Sequence, residues 1–94
     1  MLFGTLKASE NEDLRVLDIS NNSLGKGELQ CTKELAEFLQ SNVFLVHLDL
    51  SYNYFDFPNT QIISAALETN KTIYGFHFVG NCGYVDSRGF LIPE

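Results

Sequence analysis

Residues 14–24 read LRVLDISNNSL, with apolar side chains at the first, fourth, sixth and eleventh positions and asparagine at the ninth. Residues 45–55, LVHLDLSYNYF, repeat this arrangement position for position. Residues 73–83, IYGFHFVGNCG, repeat it again, with glycine at the final position. The spacings are 31 and 28 residues. Self-similarity at such spacings predicts a stack of repeated supersecondary units.

Each copy of the motif predicts a short strand followed by a bend. Two alternating apolar residues point one face of the strand inward, because successive side chains of a strand lie on opposite faces. These pairs are Leu17 and Ile19, Leu48 and Leu50, and Phe76 and Phe78. The ninth-position asparagines are expected to turn into the core and to bond backbone groups that the bend leaves unpaired.

The segments between the motifs predict helices. Leu35, Phe38 and Leu39 are spaced as one apolar stripe, and Thr32 is the predicted N-cap of that helix. Asn59 or Thr60 is the predicted N-cap of the next helix. The inward side of that second helix is predicted to comprise Ile62, Ile63, Ala66 and Leu67. The polar corners at residues 40–42 and 68–70 are the predicted helix ends. A truncated helix with Leu2, Phe3 and Leu6 inward is expected to open the chain.

The three motifs, in register over most of the chain, resemble the leucine-rich repeat family. The resemblance implies an α/β fold, a right-handed solenoid with a short parallel sheet on the concave side and helices on the convex side. Because the repeats are long enough for a full outer helix, the chain resembles the ribonuclease-inhibitor-like subclass, which also includes Ran GTPase-activating proteins and the C-terminal domain of tropomodulins. One domain, 1–94, is predicted. Its parts are 1–13, a truncated first helix and corner; 14–44 and 45–72, two repeats; and 73–94, the last strand and a C-terminal cap.

The two ends of the chain lack the motif. After residue 83, a short turn or helix is expected to lay Tyr84, Val85, Phe90 and Leu91 over the open end of the stack, because terminal repeats need atypical caps. The alternative is an exposed apolar peptide that docks on a partner. No polar cap precedes the first apolar residues of the chain. This suggests either a piece of a longer solenoid or self-association through the N-terminal repeat end.

Strand alternation predicts which side chains lie on the solvent-exposed face of the sheet. Val16, Asp18 and Ser20 are expected to point outward in the first strand, with His47, Asp49 and Ser51 in the second and Gly75, His77 and Val79 in the third. Asp18, Asp49 and His77 then form one row across strands about 4.8 Å apart. Arg15, Val46 and Tyr74 form a neighbouring row at the strand starts. Three interpretations are open for the group of Asp18, His47, Asp49 and His77: a solvated polar face, a partner-binding surface, or a metal site. A flat sheet disfavours the metal site because it spreads ligands apart.

No catalytic constellation is recognised in the sequence. No serine or cysteine has an identifiable base and orienting acid, and the pattern around Gly25 and Gly27 is not a phosphate-binding loop. Cys82 is interpreted as a buried structural thiol. Neither a cofactor nor a metal is expected. The Ran GTPase-activating relatives work through an arginine that neither Arg15 nor Arg88 can be matched to, so that activity is not carried over.

The charge and the cysteine content limit which classes of partner and which cellular compartment are expected. The chain has 94 residues and a formal net charge of -6, from 12 acids and 6 scattered bases, which argues against nucleic acid and against a membrane surface. Two cysteines and no apparent leader favour the cytoplasm. The predicted function is a non-enzymatic protein-interaction module with an acidic concave surface for a protein of basic or mixed charge. Its predicted contact residues are Arg15, Asp18, His47, Asp49, Tyr74 and His77. The alternatives are an assembly fragment that associates through its repeat ends, and part of a GTPase-activating-type protein.

Overall fold

Three parallel strands, one from each motif, form the main sheet. The computed structural model describes residues 15–42 and 44–94. Strands β1 (Val16–Asp18), β2 (His47–Asp49) and β3 (Gly75–His77) lie in the order β1-β2-β3. Leu17 pairs with Leu48, and Leu48 pairs with Phe76. The predicted repeat register is therefore confirmed.

Two helices follow β1 and β2 and pack their apolar sides into one core with the strands. A short 3-10 helix (Leu24–Lys26) precedes α1 (Leu29–Ser41), and α2 (Phe57–Thr69) follows β2. The predicted stripe of α1 is buried, and on α2 Ile63 and Ala66 are buried while Ile62 and Leu67 pack partly against the core. Strands and helices thus form the expected α/β layers. Both helices end at their predicted polar corners.

The predicted helix starts are wrong. Helix α1 begins three residues before Thr32, after Glu28, and α2 begins at Phe57, with Asp56 accepting a hydrogen bond from the backbone N–H of Asn59. Thr32 is instead buried and donates its hydroxyl to Asn59 between the two helices. The side chain of Thr60, also buried, donates to the Cys82 carbonyl at 2.7 Å. These polar residues therefore tie neighbouring repeats together instead of capping helices.

The motif asparagines form a ladder along the bends. Asn53 is fully buried, and its Oδ1 accepts from the backbone N–H groups of Asn22 (2.9 Å) and Leu24 (3.3 Å) in the preceding repeat. Its Nδ2 donates to the carbonyls of Ile19 and Leu50, both at 3.0 Å. The side chain of Asn81 bridges its own bend to that of Asn53 in the same way. The ladder confirms the predicted role of these amides, although Asn22 itself is exposed.

The C-terminal segment is a β-hairpin, not the predicted turn or helix. Strands β4 (Tyr84–Val85) and β5 (Leu91–Ile92) pair antiparallel. Leu91 is buried against α2, where Ser64 Oγ donates to its carbonyl at 2.9 Å. The side chains of Tyr84, Val85 and Phe90 are exposed, so only Leu91 of the four predicted capping residues covers the core.

Two further expectations are corrected by the burial pattern. Cys82 is exposed, because its backbone is anchored by Phe55 and Thr60 while its side chain points away from the stack. Ser51 is buried, because the chain bends after Leu50 and strand alternation no longer applies. The predicted helix at residues 1–13, and self-association through it, fall outside the described residues.

Candidate functional site

The sheet register brings the predicted acidic and imidazole side chains onto one face, which points away from the helices. Asp18 pairs with Asp49, and Asp49 pairs with His77. His47 lies in the adjacent row, between Val16 and Gly75. We call Asp18, His47, Asp49 and His77 the Asp/His face. The predicted row across the three strands is confirmed as geometry.

Each aspartate of this face also closes a local turn. Asp18 Oδ1 accepts hydrogen bonds from the Ser20 backbone N–H at 3.0 Å and from Ser20 Oγ at 2.6 Å. Asp49 Oδ1 accepts from the Ser51 backbone N–H at 2.9 Å. In the third repeat, histidine and valine replace this aspartate and serine. The aspartate side chains therefore stabilise the bends by hydrogen bonds and also place negative charge on the face of the sheet.

The Asp18 carboxylate is stabilised in its charged form. The hydroxyl and the backbone N–H of Ser20 are the main reasons that the pKa of Asp18 lies below its ordinary value, and the electrostatic influence of His47 and His77 lowers it further. The carboxylate stays exposed, so this negative charge is available to a partner.

The two histidines contact each other across β2 and β3. Their ring centroids are 4.9 Å apart, with a 49° angle between the planes. Gly75 makes room for this contact, because a Cβ there would lie 2.2 Å from His47 Nδ1. A glycine inside a strand often marks such a close approach, so Gly75 was a sequence signal for this contact that sequence reasoning missed.

Tyr74 and Arg15 flank the Asp/His face at the strand starts. Their backbones lie in the predicted row, since Val46 N donates to the Arg15 carbonyl and Tyr74 N donates to the Val46 carbonyl. The Tyr74 side chain is 87% exposed. The guanidinium of Arg15 contacts Phe44: it lies 5.9 Å from the centre of the Phe44 ring, and Nη1 lies 3.5 Å from the Phe44 carbonyl oxygen. Arg15 therefore lies at the margin of the face.

Two tyrosines at the opposite, carboxyl ends of the strands were missed by sequence reasoning. Tyr52 and Tyr54 are both more than half exposed, and both have left-handed backbone conformations, with φ of 57° and 60°. Lys26 Nζ lies 4.1 Å from the centre of the Tyr54 ring. Together with Gly80, the tyrosines line a shallow cavity of about 260 Å³. The sequence signal that could have identified Tyr52 and Tyr54 is the presence of two aromatic residues at motif positions that do not contribute to the core.

The arrangement suits recognition better than catalysis. The Ser20 hydroxyl is already donated to Asp18, and Ser51 is buried, so neither serine is presented to the histidines as a nucleophile. Among the described residues, no three His, Cys, Asp or Glu side chains are placed to hold a metal ion. The face offers charge, imidazole and an exposed aromatic ring.

The comparison with family models gives a family that agrees with this geometry. The Leucine Rich Repeat model matches residues 13–40 and 44–69, more than half of the chain. The chain belongs to the leucine-rich repeat family. Leucine-rich repeat domains generally mediate protein–protein interactions and are typically not enzymes. A search of curated proteins found no match. In residues 15–42 and 44–94, neither helix of this leucine-rich repeat chain has the length and apolar character needed to cross a membrane.

Proposed function

We propose that this leucine-rich repeat chain binds a protein of basic or mixed charge through the Asp/His face, with Tyr74 and Arg15 at its margin. The observation that carries the proposal is the alignment of Asp18, Asp49 and His77 in one row across the sheet, with Asp18 and His77 exposed and Asp49 partly exposed. Sites on strands hold their side chains in fixed positions, which reduces the entropy lost on binding. The binding face is thus largely formed before the partner arrives.

Charge supplies the selectivity of the proposed face. Two carboxylates on neighbouring strands, in a chain of formal net charge -6, attract a cationic surface and speed the encounter. At the margin, Tyr74 adds a large, exposed aromatic ring, and tyrosine is enriched among the residues that contribute most to binding at interfaces. The partner is therefore expected to present lysine or arginine beside an apolar contact.

The histidine pair adds polar rings beside the two carboxylates. The His47 and His77 ring centroids are 4.9 Å apart, and His77 pairs in register with Asp49. Imidazole nitrogens can donate or accept hydrogen bonds, so the face offers a partner polar contacts as well as negative charge.

Two finer assignments belong to the same proposal. Outer helices of 13 residues in α1 and α2 support a ribonuclease-inhibitor-like subclass. Cys31 and Cys82 are both free, which supports a reducing compartment such as the cytoplasm.

The test compares two doubly neutralised variants in affinity capture followed by mass spectrometry. Asp18→Asn with Asp49→Asn removes both charges while leaving an Oδ1 that still accepts the turn hydrogen bonds. Glu28→Gln with Glu94→Gln is the matched control, since both glutamates are exposed and neither belongs to β1, β2 or β3. We expect proteins captured by the parent chain and the control to be lost with the aspartate variant. Equal capture by both variants contradicts the proposal.

A further inference from the structure

A second concave surface lies beyond β3, between α2 and the C-terminal hairpin. This cavity, the C-terminal groove, has a volume of about 350 Å³, at the lower end of the range for ligand pockets. Its apolar lining includes Leu67, Ile73, Phe76 and Phe90. Leu67, Ile73 and Phe76 are only partly buried against the core. The groove is large enough for one or two side chains and is distinct from the Asp/His face.

The groove runs along an unpaired strand edge. Gly75 N donates to the Val46 carbonyl at 3.1 Å, and Leu50 N donates to the His77 carbonyl at 2.9 Å, so Gly75 and His77 bond toward β2. Alternate residues of a parallel strand bond to opposite sides, which directs the backbone groups of Phe76 to the open edge. In the described part of the chain, β4 and β5 form a separate sheet, so neither strand pairs with this edge of β3. An extended segment can therefore pair with β3.

The charged residues that line the C-terminal groove indicate which kind of segment could bind in it. Lys71 and Arg88 both line the groove, and they are two of only six bases in a chain with twelve acids. Among the described residues that line the groove, Glu68 is the one acidic residue. Arg88 lies 5.2 Å from the Phe90 ring centre and is 76% exposed, with one ion-pair contact to Asp86 at 3.4 Å. Among the described lining residues the two bases outnumber the one acid, in a chain whose net charge is -6, so a short acidic segment is attracted to the groove more than to the rest of the surface.

We propose that the C-terminal groove binds an extended acidic peptide. The peptide adds a fourth strand to β3, packs an apolar side chain against Leu67, Ile73 and Phe76, and places a carboxylate beside Lys71 and Arg88. Strand addition gives the affinity through main-chain hydrogen bonds, and the groove and its rim give the specificity. This inference concerns a different surface and an opposite partner charge, so it stands apart from the proposed function of the Asp/His face.

The first experiment measures binding of a fluorescein-labelled peptide, Glu-Val-Leu-Val-Glu, to the full chain by fluorescence anisotropy. The control peptide, Lys-Val-Leu-Val-Lys, has the same apolar centre and opposite charge. We expect the acidic peptide to bind and the basic one to bind at least about fivefold more weakly, from the typical strength of exposed ion pairs. No binding of the acidic peptide, or equal binding of both, overturns the proposal.

The second experiment locates the site. Lys71→Glu is expected to weaken binding of the acidic peptide about fivefold, whereas Lys33→Glu, the same charge change at an exposed site on α1, leaves it within about twofold. Nuclear magnetic resonance spectra should show shifts at Leu67, Ile73 and Phe76, and N-methylation of the peptide backbone should abolish them. Equal loss in both variants, or shifts confined to His47 and His77, overturns the groove assignment. A chain dimer by sedimentation that excludes the peptide also overturns it.

Discussion

Replacing Asn53 by alanine should destabilise the protein more than any other change in the asparagine ladder. Asn53 is fully buried and makes four good hydrogen bonds with backbone groups on two repeats. Alanine has none of these donors or acceptors, and the hydrogen bonds to the Ile19 and Leu50 carbonyls are buried away from water. At about 1 kcal/mol for each net hydrogen bond, Asn53→Ala should lower the free energy of unfolding by about 4 kcal/mol. That is a large share of the roughly 5–14 kcal/mol expected for a chain of this size.

The matched control is the first asparagine of the same ladder. Asn22 is exposed, and the hydrogen bonds of its side chain are donations from Nδ2 to the carbonyls of Ile19 and Ser20. Because water can replace this amide, Asn22→Ala should cost about 1 kcal/mol. Urea unfolding followed by circular dichroism gives both values. A cost for Asn53→Ala no larger than that for Asn22→Ala would refute the claim that ladder hydrogen bonds between repeats stabilise the stack.

Three further predictions concern the helix start, the histidine contact and the Asp18 charge. Asp56→Ala removes the N-cap of α2 and should cost about 1 kcal/mol in urea unfolding, whereas Asp56→Asn should be nearly neutral. Gly75→Ala should displace the His47 ring, since the new Cβ would overlap Nδ1, and the ring contacts between the two histidines should disappear from nuclear magnetic resonance spectra while the fold persists. Because the pKa of Asp18 is lowered in the folded state, its contribution to stability is present above the ordinary pKa of 3.8 and is lost as the pH falls through the lower folded value. Ser20→Ala should raise that pKa toward 3.8 in a carboxyl titration, and an unchanged pKa would contradict the assigned cause.

The strands and the core were predictable because their signal is strongly periodic. Leu17, Leu48 and Leu50 recur at fixed positions, and each is buried in the sheet. The same periodicity fixes the register, so the row of Asp18, Asp49 and His77 followed from counting residues. A one-residue slip would have moved every inward side chain to the wet face.

The helix starts were not predictable by the same reasoning, because a capping residue can also serve a neighbouring repeat. Thr32 and Asn59 both have the chemistry of an N-cap, yet they are buried and bond to each other between helices. Pro58 in the first turn of α2 is the better marker, since proline is favoured there and its missing N–H costs nothing. Asp56, two residues earlier, is then the natural cap.

The hairpin at the C-terminus had a readable signal in its turn. Asp86 and Gly89 occupy the first and fourth positions typical of a type I turn, and Gly89 N donates to the Asp86 carbonyl at 3.0 Å. Gly89 has a φ of +90°, a conformation that disfavours other residues. The side chains that remain exposed could not be foreseen, because the core available to a terminal element depends on how far the preceding helix extends.

The Asp/His face combines residues that the fold requires with residues that it does not. Asp18 and Asp49 hold their bends, so a stable repeat explains their presence without any partner. His77 has no such turn to hold, and Tyr74 exposes nearly all of its side chain. The Tyr74 ring takes no part in the core, so the fold gives no reason for an aromatic side chain at this position. For the interaction proposed at this face, we therefore expect the binding energy to depend most on Tyr74 and His77, and we expect the aspartates to set the charge of the partner and the rate of encounter.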